Sequence, residues 1–399
     1  MSKLRIAVMG AGSEPGSRTR SYLDVITKLS DLYELCAVCD REPARVHEAA
    51  QAYGIAGRYT DSEDMLRTEK PDVALRMTPT DSCVPMCVKA AEHGCHVLTE
   101  IPIAPTLPMA DLIVEACERN GVKLEVAENV WLWPQERLKR QIIAAGLLGP
   151  LVHARLTYPC GSYHGFNAIR MLSGAEPRRA LGYAGEAPLL PTTSYGGEPM
   201  TSAFWEAGII EFEGGMVCLY EMPPSGRAAR RVWEIEGLNG YLSGDDLVLY
   251  ERGREVRYPI EWVNKQAGGQ PVLDCVRVHT DPPVAWHNPY ADRGISGMDD
   301  VAKAAILEGM YRAVVEDRPP AYGAANARRD HELWIAVRES AVRGSTWVDL
   351  PLAGVTEIEE RIHAEFRRRY GCDPLADMDE QLGLPFDRTS VMWTVAGWL

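Results

Sequence analysis

The sequence predicts an α/β protein of two domains: a doubly wound parallel sheet, then an α+β domain with a largely antiparallel open sheet. Three observations predict it. From Leu4 to about Ala127 short β-rich runs alternate with helical periodicity, a glycine-rich turn directly follows the first β run, and beyond Glu128 strand-like runs succeed one another across Gly-rich turns. The chain has 399 residues, enough for about two to three domains at roughly 150 residues each.

The elements follow in order. LRIAVMG, ELCAVCD, DVALRM and HVLTE read as buried strands, separated by helical runs at Ser17–Leu29, Ala44–Tyr53 and Val84–Glu92. Pro108–Arg119 and Val122–Val126 add a helix and a strand, completing about six strands. A βαβ series of this kind covers a parallel sheet on both faces. Beyond it, Gln135–Ala145 is a helix, followed by the strand-like runs LVHARLTY, GIIEFEG, GMVCLYEMP, RVWEIEG, GYLSG and DLVLYERG. Met298–Glu316 and Asn326–Arg343 are long helical patterns separated at Arg318-Pro319-Pro320. The expected division is therefore residues 1–127 for nucleotide binding, 128–371 for substrate and oligomerisation, and 372–399 as a tail. The tail's apolar end, VMWTVAGWL, is expected to pack on the body or on a neighbouring subunit.

Composition excludes several function classes. Apolar residues make up 46% and charged ones 25%, values of a folded globular chain rather than a disordered one. Forty-two basic and 56 acidic side chains leave a net charge of −14, which repels nucleic acid phosphates and anionic lipid. No apolar stretch reaches the roughly 18–20 residues of a spanning helix, and MSKLRIAVM lacks the pattern of a secretory leader. The expectation is a cytoplasmic protein with no nucleic acid and no membrane partner. Cys36 and Cys39 are three apart in a strand-like run, which sends their thiols to opposite faces and argues for core positions rather than a metal pair. His93 and His96 have a usable spacing, but no second ligand pair follows nearby, so no metal is expected.

The strongest chemical signal is Gly10-Ala11-Gly12-Ser13-Glu14-Pro15-Gly16 between a strand and a helix. Glycines here let the backbone approach a pyrophosphate, and free amides at the helix start favour its charge. Asp40 ends the second strand, where a carboxylate accepts the ribose hydroxyls of NAD, whereas the adjoining Arg41 suits a 2′-phosphate; NAD is favoured over NADP.

Further residues carry a family resemblance. Thr78-Pro79-Thr80, the run Ala90-Ala91-Glu92-His93-Gly94-Cys95-His96-Val97-Leu98-Thr99-Glu100-Ile101-Pro102, Glu128-Asn129 before Pro134, Gly149-Pro150-Leu151-Val152-His153, and Ala304–Pro320 with Glu339-Ser340-Ala341 together resemble the Gfo/Idh/MocA (glucose-fructose oxidoreductase / inositol dehydrogenase) family over about residues 3–350. The resemblance implies a Rossmann domain holding a nicotinamide cofactor and an open-sheet domain that frames a sugar or polyol site and mediates homodimers or homotetramers. It also implies cofactor contacts from Thr78, Pro79, Glu100, Pro102 and Asn129, alongside Gly10, Gly12, Gly16, Asp40 and Arg41.

Two departures shape the expected chemistry. Where the family usually has Glu-Lys-Pro this chain has Glu100-Ile101-Pro102, and where it often has Asp-x-x-x-His the chain has Cys160-Gly-Ser-Tyr163-His164. An apolar residue at the first position, Glu128-Asn129, and Gly294-Ile295-Ser296-Gly297-Met298-Asp299 are similar to the family's NAD-dependent glycosidase branch, although Ile295 stands where that branch has histidine. In that branch NAD is tightly held and returns its hydride after oxidation at C3, elimination and water addition. Histidine titrates near working pH, so His164 is the candidate base, with Tyr163 as a relay; the alternative is a Tyr-His pair capping local backbone. Trp131 and Trp133 suit sugar stacking or plain packing, Arg227, Arg230 and Arg231 an anionic substituent or a solvated turn, and His287 and Tyr290 substrate contact or surface. The expected ligand is a small-molecule sugar or glycoside processed by a redox-neutral glycosidase. A net sugar or polyol dehydrogenase and a non-catalytic NAD-binding protein are the alternatives.

Overall fold

The computed structural model describes residues 3–12, 16–157, 162–193, 199–224, 232–376 and 378–396. The N-terminal domain runs β1 (Leu4–Met9), α1 (Arg18–Lys28), β2 (Tyr33–Cys39), α2 (Pro43–Tyr53), β3 (Gly57–Tyr59), α3 (Ser62–Glu69), β4 (Val73–Arg76), α4 (Cys83–Glu92), β5 (His96–Thr99), α5 (Leu107–Arg119) and β6 (Leu124–Val126). Its six strands lie in the order β3-β2-β1-β4-β5-β6, every pairing parallel. Ile6, Ala7 and Val8 are fully buried, as are Val73, Ala74 and Leu75, because helices cover both faces of the sheet. The order reverses between β1 and β4, so a crevice opens at the carboxyl ends of these two strands.

The second domain opens with α6 (Pro134–Ala144), β7 (Leu151–Thr157) and α7 (Ser162–Ser173). Its strands continue as β8 (Pro177–Thr193), β9 (Pro199–Phe212), β10 (Val217–Met222), β11 (Val232–Gly237), β12 (Gly240–Ser243), β13 (Asp246–Glu251) and β14 (Arg254–Pro259). With β18 (Val348–Asp349) these form a nine-stranded sheet, β14-β13-β12-β11-β7-β10-β9-β8-β18, in which β7 and β10 are parallel and every other pair antiparallel. A separate antiparallel sheet is built from β15 (Glu261–Ala267), β16 (Gln270–Val278) and β17 (Val284–His287). Helices α8 (Met298–Val315) and α9 (Gly323–Val342) return the chain toward the first domain, α8 packing on α1 and α9 on β6 and β8.

The chain ends in α10 (Glu357–Tyr370), α11 (Met378–Leu382) and α12 (Val391–Ala396). This segment lies on the N-terminal domain. Asp81, fully buried, accepts hydrogen bonds from the Tyr370 hydroxyl (2.8 Å), the Ser390 hydroxyl and the Val391 amide (3.1 Å). Among the described residues no helix is long and apolar enough to cross a membrane.

Candidate active site

The glycine-rich turn lies at the crevice. Gly10 and Gly12 have φ of 104° and 76°, and a Cβ on Gly10 would sit 3.0 Å from the Met77 backbone, so the chain passes here only without side chains. Gly16 also has a positive φ, 82°, while Ser13, Glu14 and Pro15 lie outside the described residues. Ser17 caps the start of α1, yet its hydroxyl is buried, makes no cap bond and has no partner among the described residues. Asp40 accepts hydrogen bonds from the Ala11 amide (2.9 Å) and the Glu42 amide (3.0 Å), holding the turn against the end of β2. Gly10, Gly12, Ser17 and Asp40, with Thr78, Pro79 and Glu100, line a cavity of about 850 Å³. An orphaned hydroxyl at a helix N-terminus, glycines that leave room for phosphate and a carboxylate after the second strand fit a dinucleotide.

The far wall of this cavity comes from the C-terminal segment, through Leu382, Gly383, Leu384, Phe386 and Asp387. Arg41 donates to the carbonyls of Leu384 (2.9 Å) and Phe386 (3.2 Å). The guanidinium that suited a 2′-phosphate is thus turned to the tail, a correction to that reading, and Asp40 stands beside the turn with Arg45 at 3.8 Å.

A second cluster gathers where β5, β6, α1, α7 and α8 meet. His164 lies in the first turn of α7, and its Nδ1 is 2.9 and 3.0 Å from the two carboxylate oxygens of Glu128, which is fully buried just past β6. Glu128 also accepts from the Val130 amide (2.9 Å), so the carboxylate is fixed before it meets the imidazole. Burial pushes the His164 pKa down, the Glu128 charge and hydrogen bond push it up, and the net direction is upward from the ordinary value of 6.5. Glu100 and Arg18 also act on this imidazole electrostatically.

Arg18, on the first turn of α1, bonds Glu100 through Nε and Asp299 through Nη1 at 2.6 Å. Asp299 also receives Asn129 Nδ2 and pairs with Lys303 Nζ at 2.7 Å. Burial pushes the Asp299 carboxyl up, but Arg18, Lys303 and Asn129 together hold it below its ordinary value. Asn129 Oδ1 is buried with no partner among the described residues, leaving an acceptor at the cluster. Ile101 stands at the edge of the nucleotide cavity, so the side chain following Glu100 is apolar.

The structure redistributes other expected site residues. Tyr163 does not join His164: it is buried in the core, its hydroxyl 3.4 Å from the Tyr322 hydroxyl and the Ala327 carbonyl, and burial pushes its pKa well above 10. Successive helical residues are turned about 100° apart, so neighbours in sequence face different surroundings. Tyr290 is likewise buried and donates to Glu308 at 2.7 Å. His287 is exposed on the three-stranded sheet beside Asp274 and Cys275. Trp131 is nearly buried, with Nε1 donating to the Glu128 carbonyl at 3.1 Å, and Trp133 packs partly buried before α6. Pro102 follows Glu100 and Ile101 behind the cavity. Arg227, Arg230 and Arg231 lie outside the described residues. Sequence reasoning missed Arg18 and Lys303 as site residues and gave Glu128 and Asp299 no role, although both acids stand in motifs that carried the resemblance.

Residues 4–128 match the family described as oxidoreductase family, NAD-binding Rossmann fold, Gfo/Idh/MocA. This match covers the N-terminal domain, about a third of the chain. A glycosyl hydrolase family 109 protein of Shewanella pealeana is 27% identical over 167 residues, 40% of this chain and 36% of that protein. The D-glucoside 3-dehydrogenase of Escherichia coli K12 is 30% identical over 162 residues, 40% of this chain and 45% of the enzyme. The match therefore spans less than half the length of these Gfo/Idh/MocA relatives. Fold likeness reaches further. An NAD binding oxidoreductase of Klebsiella pneumoniae superposes with a TM-score of 0.69 at 18% identity, over 88% of this chain and 99% of that one. Levoglucosan dehydrogenase in complex with NADH and levoglucosan gives 0.69 at 18% identity, over 88% and 100%.

Proposed function

We propose that this protein is an NAD-dependent enzyme that moves a hydride at a ring carbinol, C3, of a pyranoside, and that it works as a redox-neutral glycoside hydrolase. The observation that carries the proposal is the His164–Glu128 pair, set among Glu100, Arg18 and Asp299 at a dinucleotide-shaped crevice with no lysine at position 101. Bound in the crevice, NAD would accept hydride from C3 and later return it. Asp40 and the glycine turn would hold its adenosine and pyrophosphate, and Asn129 Oδ1 would accept from a hydroxyl of cofactor or sugar.

The chain's own residues manage protons and charge. With Nδ1 directed at Glu128, His164 Nε2 takes the C3 hydroxyl proton, and Glu128 stabilises the imidazolium that results. Oxidation at C3 acidifies the C2 proton, whose loss to a base expels the aglycone from C1; water then adds at C1 as C2 regains its proton, and reduction of the C3 ketone completes a redox-neutral hydrolysis. With Tyr163 in the core, His164 and the Glu100 carboxylate it feels are the groups left for the two proton transfers. Arg18, bonded to both Glu100 and Asp299, is the positive charge offered to the developing enolate where the chain has no lysine after Glu100. This route needs no carboxylate pair across the glycosidic bond.

Net sugar dehydrogenation is the second reading, favoured by the similarity to a D-glucoside 3-dehydrogenase. As part of the proposal the protein assembles as a homodimer or homotetramer through the outer face of the nine-stranded sheet, where Tyr183 and Leu219 stand exposed. The test is to incubate the purified protein and NAD with neutral and anionic aryl glycosides, following free aglycone and NADH separately. Aglycone released over many turnovers without NADH supports the hydrolase. NADH accumulating while the glycosidic bond stays intact establishes the dehydrogenase instead. Bound NAD with no turnover of either kind makes the protein a non-catalytic binder.

A further inference from the structure

A second cavity, of about 610 Å³, opens beside α6 and shares no lining residue with the nucleotide cleft. Its walls combine apolar side chains such as Leu132 and Ile306 with two tryptophans, Trp131 and Trp286. Helix α6 delivers Arg137 and Arg140, three residues apart and so on one face, into this wall. The Arg137 guanidinium lies 5.4 Å from the Trp286 ring centre and that of Arg140 lies 5.2 Å from the Trp131 ring centre. Ring faces fix the direction of each guanidinium but accept none of its directional hydrogen bonds.

What the two arginines lack is an anion. Among the described residues neither has a hydrogen-bonding or carboxylate partner, and Arg137 Nε is buried without one. Burial lowers the pKa of both guanidinium groups. Three other shielded arginines are paired closely, although among the described residues Arg20 Nε and Nη2 also go without a hydrogen bond, with Glu48 at 3.8 Å. Arg18 meets Glu100 and Asp299, Arg170 meets Asp330 at 2.7 Å, and Arg338 meets Glu206 at 2.8 Å. A guanidinium drawn out of water without a partner is costly, and 56 acidic side chains were available to supply one.

The carboxylates of the neighbourhood are already taken. Glu125 accepts from the amides of Val126 (2.9 Å), Gly323 (2.7 Å) and Tyr322 (3.2 Å), and Glu128 is held by His164 and Val130. Glu308, which acts on Arg137 at longer range, receives Tyr290 (2.7 Å) and Arg312.

We propose that this cavity is a binding site for a small organic carboxylate, its charged group taken by Arg137 and Arg140 and its carbon body held by the tryptophan and aliphatic wall. Planar guanidinium forks match carboxylate oxygens, and the volume suits a ring-sized molecule. The site shares no lining residue with the nucleotide cleft, while Glu128 of the proposed catalytic pair stands in its wall.

The experiment is calorimetric titration of the full chain, pre-saturated with NAD, using sodium benzoate, with benzyl alcohol as the uncharged counterpart and inorganic phosphate as a carbon-free anion. Benzoate is expected to bind at one site and benzyl alcohol not to bind, while Arg137→Gln and Arg140→Gln each weaken benzoate about tenfold or more. Without ligand both variants should keep or raise the melting temperature, because each removes an uncompensated charge. Phosphate binding as tightly as benzoate overturns the carboxylate assignment. No benzoate binding, or binding indifferent to both substitutions, overturns the site. A melting temperature that falls sharply in both variants makes the arginines structural, and a change of subunit number in either shows that a neighbouring copy fills the place of the anion; both results overturn the proposal.

Discussion

His164 is the residue whose environment most constrains the proposed chemistry. Glu128 raises its pKa above 6.5 despite burial, so the neutral imidazole needed as a base forms only as pH rises through that elevated value. The acidic limb of kcat/KM should therefore lie above the ordinary histidine value, and Glu128→Gln should move it to lower pH by removing the charge that holds the proton. A limb that stays in place in the variant would detach Glu128 from the role. His164→Ala should cut kcat by about 10²–10⁴-fold, whereas Tyr163→Phe should leave the pH profile unmoved because its hydroxyl faces the core. Linkage gives the same pair a stability signature. A histidine whose folded pKa is raised stabilises the fold below the unfolded value, and that contribution fades as pH climbs through the folded pKa, so Glu128→Gln should flatten this part of the stability profile. His164 and Asp40 were legible in the sequence because each sits inside a local motif. Arg18 and Asp299 were not, since the contact between them spans 281 residues and no local spacing announces it.

At the scale of elements, the same contrast is one of periodicity against close approach. Helices α5, α6, α8 and α9 fall within a few residues of their expected bounds; α5 and α6 each bury one stripe, whereas α9 is buried on all sides from Asp330 to Ser340. Helix α7, in contrast, is not among the helices expected from the sequence, where glycines flank Tyr163-His164. A Cβ on Gly165 would sit 2.5 Å from Leu156 Cδ2, so the glycine is what lets α7 press on β7 and carry His164 to Glu128. The long β8–β9 pair was under-read because Gly182, Gly185 and Pro188 interrupt its alternation. Helix α10 offers a direct test of how an element reaches the site. Thr356 caps it reciprocally with Glu359, and the same carboxylate accepts from the Leu107 amide at 2.8 Å, tying α10 to the first turn of α5. Thr356→Ala should cost about 1 kcal/mol, lowering the melting temperature by about 2–4 °C while leaving KM unchanged. An unaltered melting temperature would show that the second acceptor bond at Leu107 holds the turn by itself.

The whole molecule is organised so that three separate stretches close one crevice: the glycine turn, the Glu100-Ile101 stretch after β5, and the C-terminal segment. The sequence showed that the apolar tail must be covered, yet nothing local linked it to Arg41 or Asp81, because those contacts join residues more than 300 positions apart. An enzyme that returns its hydride within each cycle gains from keeping its nucleotide, and a wall of Leu384, Phe386 and Asp387 across the cleft is a physical means of slowing its escape. Asp81→Asn removes the charge that anchors Ser390, Val391 and Tyr370 while leaving an isosteric side chain in place. Bonds to a buried charge are worth about 1.5–3 kcal/mol each, so losing part of this set should speed NAD release about tenfold or more, measured by displacement of a fluorescent analogue. The Rossmann sheet itself should stay folded, because Asp81 holds the tail through a short connection between β4 and α4 and not through the parallel ladder. An off-rate equal to that of the unaltered protein would make the tail a passive cover, and retention would then have to come from the glycine turn and Asp40 alone.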